Sequence, residues 1–144
     1  MTMKRRDSLM RLKRFRVDDL KRRMTTLDGM RADLERKLSD LEESVGRERQ
    51  RANDSDIGRL AFPSFLRSIE TRRENLRTTV KEIEREREQC QGELTVAYQD
   101  LKSLELATEQ QAKRVAETEA RRSQSRVDEM AIVRHLRKHA LRQI

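Results

Sequence analysis

The sequence predicts an all-α chain: a long antiparallel two-helix coiled-coil hairpin with an overhanging C-terminal helix. Three observations predict it. Met10, Val17, Leu20, Met24, Leu27, Leu34, Leu38, Leu41 and Val45 fall on one ladder of alternating three- and four-residue steps, broken only by Lys13 and Arg31. Ile69, Leu76, Val80, Ile83, Cys90, Leu94, Ala97, Leu101 and Leu104 repeat that ladder, with Arg73 and Arg87 as its exceptions. Between them lies Arg51 to Ser64, which holds a cluster of turn formers and the only proline. A stripe repeating every 3.5 residues keeps a narrow apolar seam facing a partner helix along its length. Two such stripes joined by a reversal can face each other.

Composition agrees. The chain is 144 residues long, with 42% charged residues, 34% hydrophobic ones and only 3% aromatics, too little apolar bulk for an ordinary globular core. This much charge also suits disorder, but a disordered chain has no reason to hold its Leu and Val in register over many turns. Long helices are the better reading.

Helix one is expected over about residues 7–51, with Asp7 or Ser8 as its cap. Gly29 lies inside it, off the seam, at a cost of about 1 kcal/mol relative to Ala. Asn53, Asp54, Ser55, Asp56 and Gly58 then mark a loop over about residues 52–63. Pro63 fits the first turn of a second helix running over about residues 64–142, where its missing N–H does no harm. Folded symmetrically about the loop, facing residues have numbers summing to about 114. Val45 then faces Ile69, Leu27 faces Arg87, and Met10 faces Leu104. Under this pairing the seam arginines meet carboxylates: Arg87 near Asp28, Arg73 near Glu42 and Glu43, Arg31 near Glu82, Glu84 or Glu86. They read as register pins.

Past Leu104 helix two has no predicted partner. The ladder continues through Thr108, Gln111, Thr118 and Arg122 with only Val115 apolar. An apolar stripe returns, shifted, at Met130, Val133, Leu136 and Ala140, with Ile132, Leu141 and Ile144 beside it. It is either a docking face for another protein or a surface that folds back on the N-terminal residues.

Charge is uneven. Met1 to Arg23 holds ten Lys or Arg against three Asp, Arg121 to Ile144 holds seven against two acids, and the stretch between is mildly acidic. An antiparallel hairpin would carry both basic ends to the end opposite the loop. Lys4, Arg5 and Arg6 stand where a helix begins, and positive charge there opposes the macrodipole. A partner or solubility must explain them. Arg134, Arg137, Lys138 and Arg142 suit a helix end and say less.

The residues suggest no chemistry. There is no Gly-rich phosphate loop, no Ser/His/Asp set and no Cys/His cluster. Cys90, the only cysteine, lies on the seam as a small hydrophobe. His135 and His139 are one turn apart, but no third ligand stands with them and Arg134, Arg137 and Lys138 repel a cation. The prediction is a non-enzyme with no metal and no cofactor. The longest uninterrupted apolar run, Met130 to Val133, is far short of a membrane span, so no membrane insertion is expected. The basic N-terminus is followed by no apolar signal region, and a cytoplasmic protein is expected. A basic-zipper reading fails because Leu9, Met10, Leu12, Phe15 and Val17 carry an apolar face through the basic region, which also lacks an asparagine to read adenine. Phosphate-only nucleic-acid binding and a purely structural coiled coil stay open as alternatives, without specific nucleic-acid recognition.

Two segments carry a resemblance. Arg6-Asp-Ser-Leu-Met-Arg-Leu-Lys-Arg-Phe-Arg-Val17 resembles the opening of the FliJ family, small coiled-coil proteins of the flagellar type III export apparatus, most of all its alphaproteobacterial members. Phe62-Pro-Ser-Phe65, leading into Arg72-Arg-Glu-Asn-Leu76, resembles that group's aromatic-proline segment. The resemblance implies an antiparallel coiled coil similar to the central stalk of rotary ATPases. It further implies binding to the hexameric flagellar export ATPase, to the export-gate membrane protein and to export chaperones, at a cytoplasmic site peripheral to the inner membrane at the flagellar base. By that resemblance Arg5, Arg6, Arg11 and Arg14, with Arg134 and Arg137, would face the ATPase ring. Phe62, Phe65 and Leu66 would lie near the loop tip used for the gate. The residues themselves leave two readings of Phe62 and Phe65: interface anchors, or caps on the end of the seam.

Overall fold

The computed structural model describes residues 3–143, and nearly all of them are helical. Helix α1 spans Met3–Asp54 and helix α2 spans Asp56–Arg142. The chain divides into two compact units, Arg11–Gln99 on the one hand and Met1–Met10 with Asp100–Ile144 on the other.

The unit from Arg11 to Gln99 is an antiparallel helical hairpin. On α1, each step of the ladder 17, 20, 24, 27, 31, 34, 38, 41, 45, 48, 52 is buried or half-buried. On α2, the ladder 66, 69, 73, 76, 80, 83, 87, 90, 94, 97 behaves alike. Leu20, Met24, Leu27, Ile83 and Cys90 form the core cluster, with Leu34, Leu94 and Ala97 packed against it. Leu20 and Cys90 are its most enclosed side chains, each 1% exposed. Burying a Leu or Ile fully is worth roughly 1.5–3 kcal/mol, so a two-helix seam is a long series of modest increments. The Cys90 thiol donates to the Leu20 backbone carbonyl at 3.5 Å, which gives the thiol a partner within the apolar seam.

Charged pairs set the level of one helix against the other. Arg31 reaches Glu84 at 3.3 Å, Arg73 reaches Glu42 at 2.7 Å, and Arg87 reaches Asp28 at 2.5 Å. In each pair the residue numbers add to 115, within one of the register expected from the apolar pattern. Partly exposed pairs contribute at most about 1 kcal/mol each, so their use lies in register rather than stability. Arg73 is the most enclosed, and its Nε is buried without a hydrogen-bond partner.

The reversal is tighter than the sequence suggests. In place of a loop over 52–63, a single residue, Ser55, separates the helices. Its N–H donates to the Arg51 carbonyl at 3.1 Å, as a last turn of α1 would. Its hydroxyl accepts from the Gly58 N–H at 3.0 Å, the N-cap bond of α2. Asp56 in the first turn of α2 complements the helix dipole. One serine thus serves both helix ends, and the turn formers around it are absorbed into helix. Gly58 is required for space rather than for unusual dihedrals: a Cβ there would stand 2.7 Å from the Arg51 carbonyl oxygen. Pro63 consequently lies inside α2 rather than in its first turn. It leaves the Arg59 carbonyl without its usual helical donor.

Helix α1 also begins ahead of the expected cap. Lys4, Arg5 and Arg6 are helical, and Asp7 and Ser8 are ordinary helical positions behind them. Lys and Arg are good helix formers, which outweighs the capping preference of Asp and Ser here.

In the other unit, Met10 and Leu101 are buried, and Arg6, Leu9, Leu104, Glu105 and Thr108 are half-buried. Every described residue from 109 to 143 is exposed.

Candidate partner-binding surfaces

Four surfaces offer groups to a partner, and each follows from where the ladder places its off-seam neighbours. At the reversal, Phe62 and Leu66 extend the seam register beyond Ile69, so both are half-buried; Phe65 beside them is half-buried too. The fully presented apolar groups there are Ile57 and Leu60, 81% and 83% exposed. The surrounding turn formers point to a loop over these residues, so the sequence gives no sign of this pair. Once α2 begins at Asp56, Ile57 and Leu60 stand one turn apart and off the seam.

On the hairpin's α1, Arg11 and Arg14 are exposed and one turn apart. Between and beside them stand Leu12, 64% exposed, and Phe15, 60% exposed. The apolar face traced through this basic stretch therefore splits. Val17 goes into the seam, while Leu12 and Phe15 stay outside with the arginines. An exposed aromatic flanked by guanidinium groups is the composition enriched in interface centres. The signal was present in the sequence: Leu12 and Phe15 lie off the ladder.

In the other unit, Arg5 is exposed and Arg6 half-buried. Arg6 lines an open groove of about 440 Å³ with Met3, Asp7, Thr108, Gln111 and Val115. The first turn of α1 contains no acidic residue. Near the end of α2, Arg134 and Arg137 are exposed. Of the six arginines singled out from the sequence, Arg5, Arg6, Arg134 and Arg137 thus belong to one unit, and Arg11 and Arg14 to the other.

The chemistry available on these surfaces is contact chemistry. His135 and His139 stack with ring centroids 6.4 Å apart and nearly parallel planes. Among the described residues no three His, Cys, Asp or Glu are grouped to hold a metal. No described helix is long and apolar enough to cross a membrane.

Comparison with known proteins gives one match. A family model described as the flagellar FliJ protein matches residues 3–140, nearly the whole chain. No curated protein matches, and no solved structure does.

Proposed function

The chain belongs to the FliJ family, structural components of the flagellar protein export apparatus, and from that premise we propose that it works as a stalk. In this reading the coiled coil binds and stimulates the hexameric export ATPase and links it to the export-gate membrane protein and the export chaperones. It sits peripherally at the inner membrane beneath the flagellum.

The observation that carries the ATPase assignment is the first turn of α1. Lys4, Arg5 and Arg6 stand there with no acid among them. Positive charge at a helix N-terminus costs a few tenths of a kcal/mol or more, so whatever their propensity adds, their charge does not serve the helix. In the hairpin unit, exposed Arg11 and Arg14 add basic charge and bring Leu12 and Phe15 as apolar contacts. Arg134 and Arg137 supply charge from α2. Contact with the gate is assigned to the reversal, where Phe62, Phe65 and Leu66 are joined by the more exposed Ile57 and Leu60.

Charge reversal at Arg5, Arg6, Arg11 and Arg14 tests the reading. Capture of the export ATPase hexamer and stimulation of its ATP hydrolysis should both be lost, with helicity by circular dichroism unchanged. Full stimulation by the reversed variant would contradict the reading. So would tight DNA binding by the native chain at physiological salt, since phosphate contacts alone give weak, steeply salt-sensitive retention.

A further inference from the structure

The last stretch of α2 carries a feature that a stalk on an ATPase ring does not need. Residues 109–129 are electrically balanced, with five Lys or Arg and five Asp or Glu. From Met130 to Gln143 there are four Lys or Arg and no acid at all. Within that stretch Met130, Ile132, Val133, Leu136 and Leu141 are 48–73% exposed.

At 100° per residue these groups separate by face. Ile132, Leu136, Ala140, Val133, Met130 and Leu141 sweep roughly half of the helix circumference. Arg134, Lys138, Arg142, His135 and His139 occupy the other half. Arg137 alone among the basic residues falls inside the apolar arc, where its long stem lets the guanidinium reach outward. The arc is far wider than the seam of the hairpin. A 3.5-residue ladder fits a groove between two helices; a half-cylinder fits a flat apolar medium.

We infer that residues 130–143 lie on an anionic phospholipid surface, apolar face down, with the basic face at the level of the headgroups. Charge complementarity selects the surface: a run of basic residues without one acid is drawn to anionic lipid, each residue adding roughly fivefold in affinity. The apolar arc selects a bilayer over nucleic acid, because phosphate contacts would leave Ile132 and Leu136 unused. No described helix can span a membrane, so the segment lies on the bilayer rather than crossing it. The inference shares Arg134 and Arg137 with the ATPase reading and places them at lipid headgroups, but its test needs only the chain and vesicles, so the two readings can fail separately.

Vesicle binding by the full-length protein tests it. The protein should sediment with phosphatidylcholine vesicles containing roughly a third phosphatidylglycerol, and much less with phosphatidylcholine alone. Replacing Lys138 and Arg142 with Gln should weaken binding about twenty-five-fold. Ile132→Ser with Leu136→Ser, which leaves every charge in place, should weaken it at least about tenfold. These residues are exposed, so helicity should not change. The chain contains no Trp, and a single one reports depth. With Leu136→Trp, emission should shift to the blue on the anionic vesicles, and with His135→Trp, on the opposite face, it should not. Absence of sedimentation with the anionic vesicles overturns the inference. So do full binding by the Ser variant and equal shifts from the two Trp positions, both of which mean charge attraction without an apolar face. Failure of the native chain to capture the export ATPase, with vesicle binding intact, sinks only the stalk reading.

Discussion

Two stretches of α2 use nearly the same residues to opposite ends. From Leu66 to Thr108 one residue in every three or four is buried or half-buried. From Glu109 to Gln143 none is. Both stretches are helical, so helix formation does not distinguish them. The difference lies in spacing and width. In the first stretch the apolar groups hold a strict ladder, and a second helix covers it. In the second the ladder positions turn polar at Gln111, Thr118 and Arg122, and the later apolar groups spread around half the helix. Propensity makes a helix; a narrow stripe decides what it packs on.

The largest effect that can break this comparison is a truncation on each side of it. Leu20→Ala opens a cavity in the core cluster and should cost about 2–4 kcal/mol in chemical denaturation. Leu136→Ala, on a residue 60% exposed, should stay within about 0.5 kcal/mol. Equal costs would mean that the C-terminal stretch packs as firmly as the seam.

Glycines give the next contrast. Gly58→Ala drives a methyl to 2.7 Å from the Arg51 carbonyl and should destabilise by about 1–3 kcal/mol. Gly92→Ala meets nothing within 4 Å and should stabilise by about 1 kcal/mol through helix propensity alone. Melting curves of the two variants should therefore move in opposite directions. If both rise, the reversal is looser than described.

A smaller effect sharpens the account of the seam arginines. Arg73→Leu removes a buried Nε that has no partner and restores an apolar rung, at the loss of a partly exposed pair with Glu42. It should raise stability by about 1 kcal/mol while loosening register. A drop would make Arg73 a net stabiliser. Smallest of all should be Ile57→Ser with Leu60→Ser. Stability should change by less than about 0.5 kcal/mol, because both are already in water. Binding to the gate protein should fall at least tenfold if the reversal is the gate contact.

Much of this was legible in the residues. The two ladders named the buried positions, because a 3.5-residue repeat has one geometric use. The level of Arg31, Arg73 and Arg87 followed from pairing the ladders about their midpoint. The reversal was not legible in detail. Asn53, Asp54, Ser55, Asp56 and Gly58 each favour a turn, and their sum suggested a loop, whereas one serine bonded to Arg51 and Gly58 closes both helices. Pro63 misled in the same way. Proline favours a first helical turn but is tolerated further in, so it gave no fixed boundary. The exposed pair Ile57 and Leu60 was hidden by that same loop assignment.

The central claim is that each chain closes its own seam, leaving its basic surfaces, its reversal and its C-terminal stretch for partners. Oxidative crosslinking tests it most directly. Leu27→Cys with Arg87→Cys, in a chain carrying Cys90→Ser, places the two thiols at the level fixed by the Arg87–Asp28 pair. At low protein concentration the account predicts a disulfide within one chain, seen as a monomer that migrates faster without reductant. Crosslinked dimers as the only product would mean that the seam forms between chains, and would contradict it.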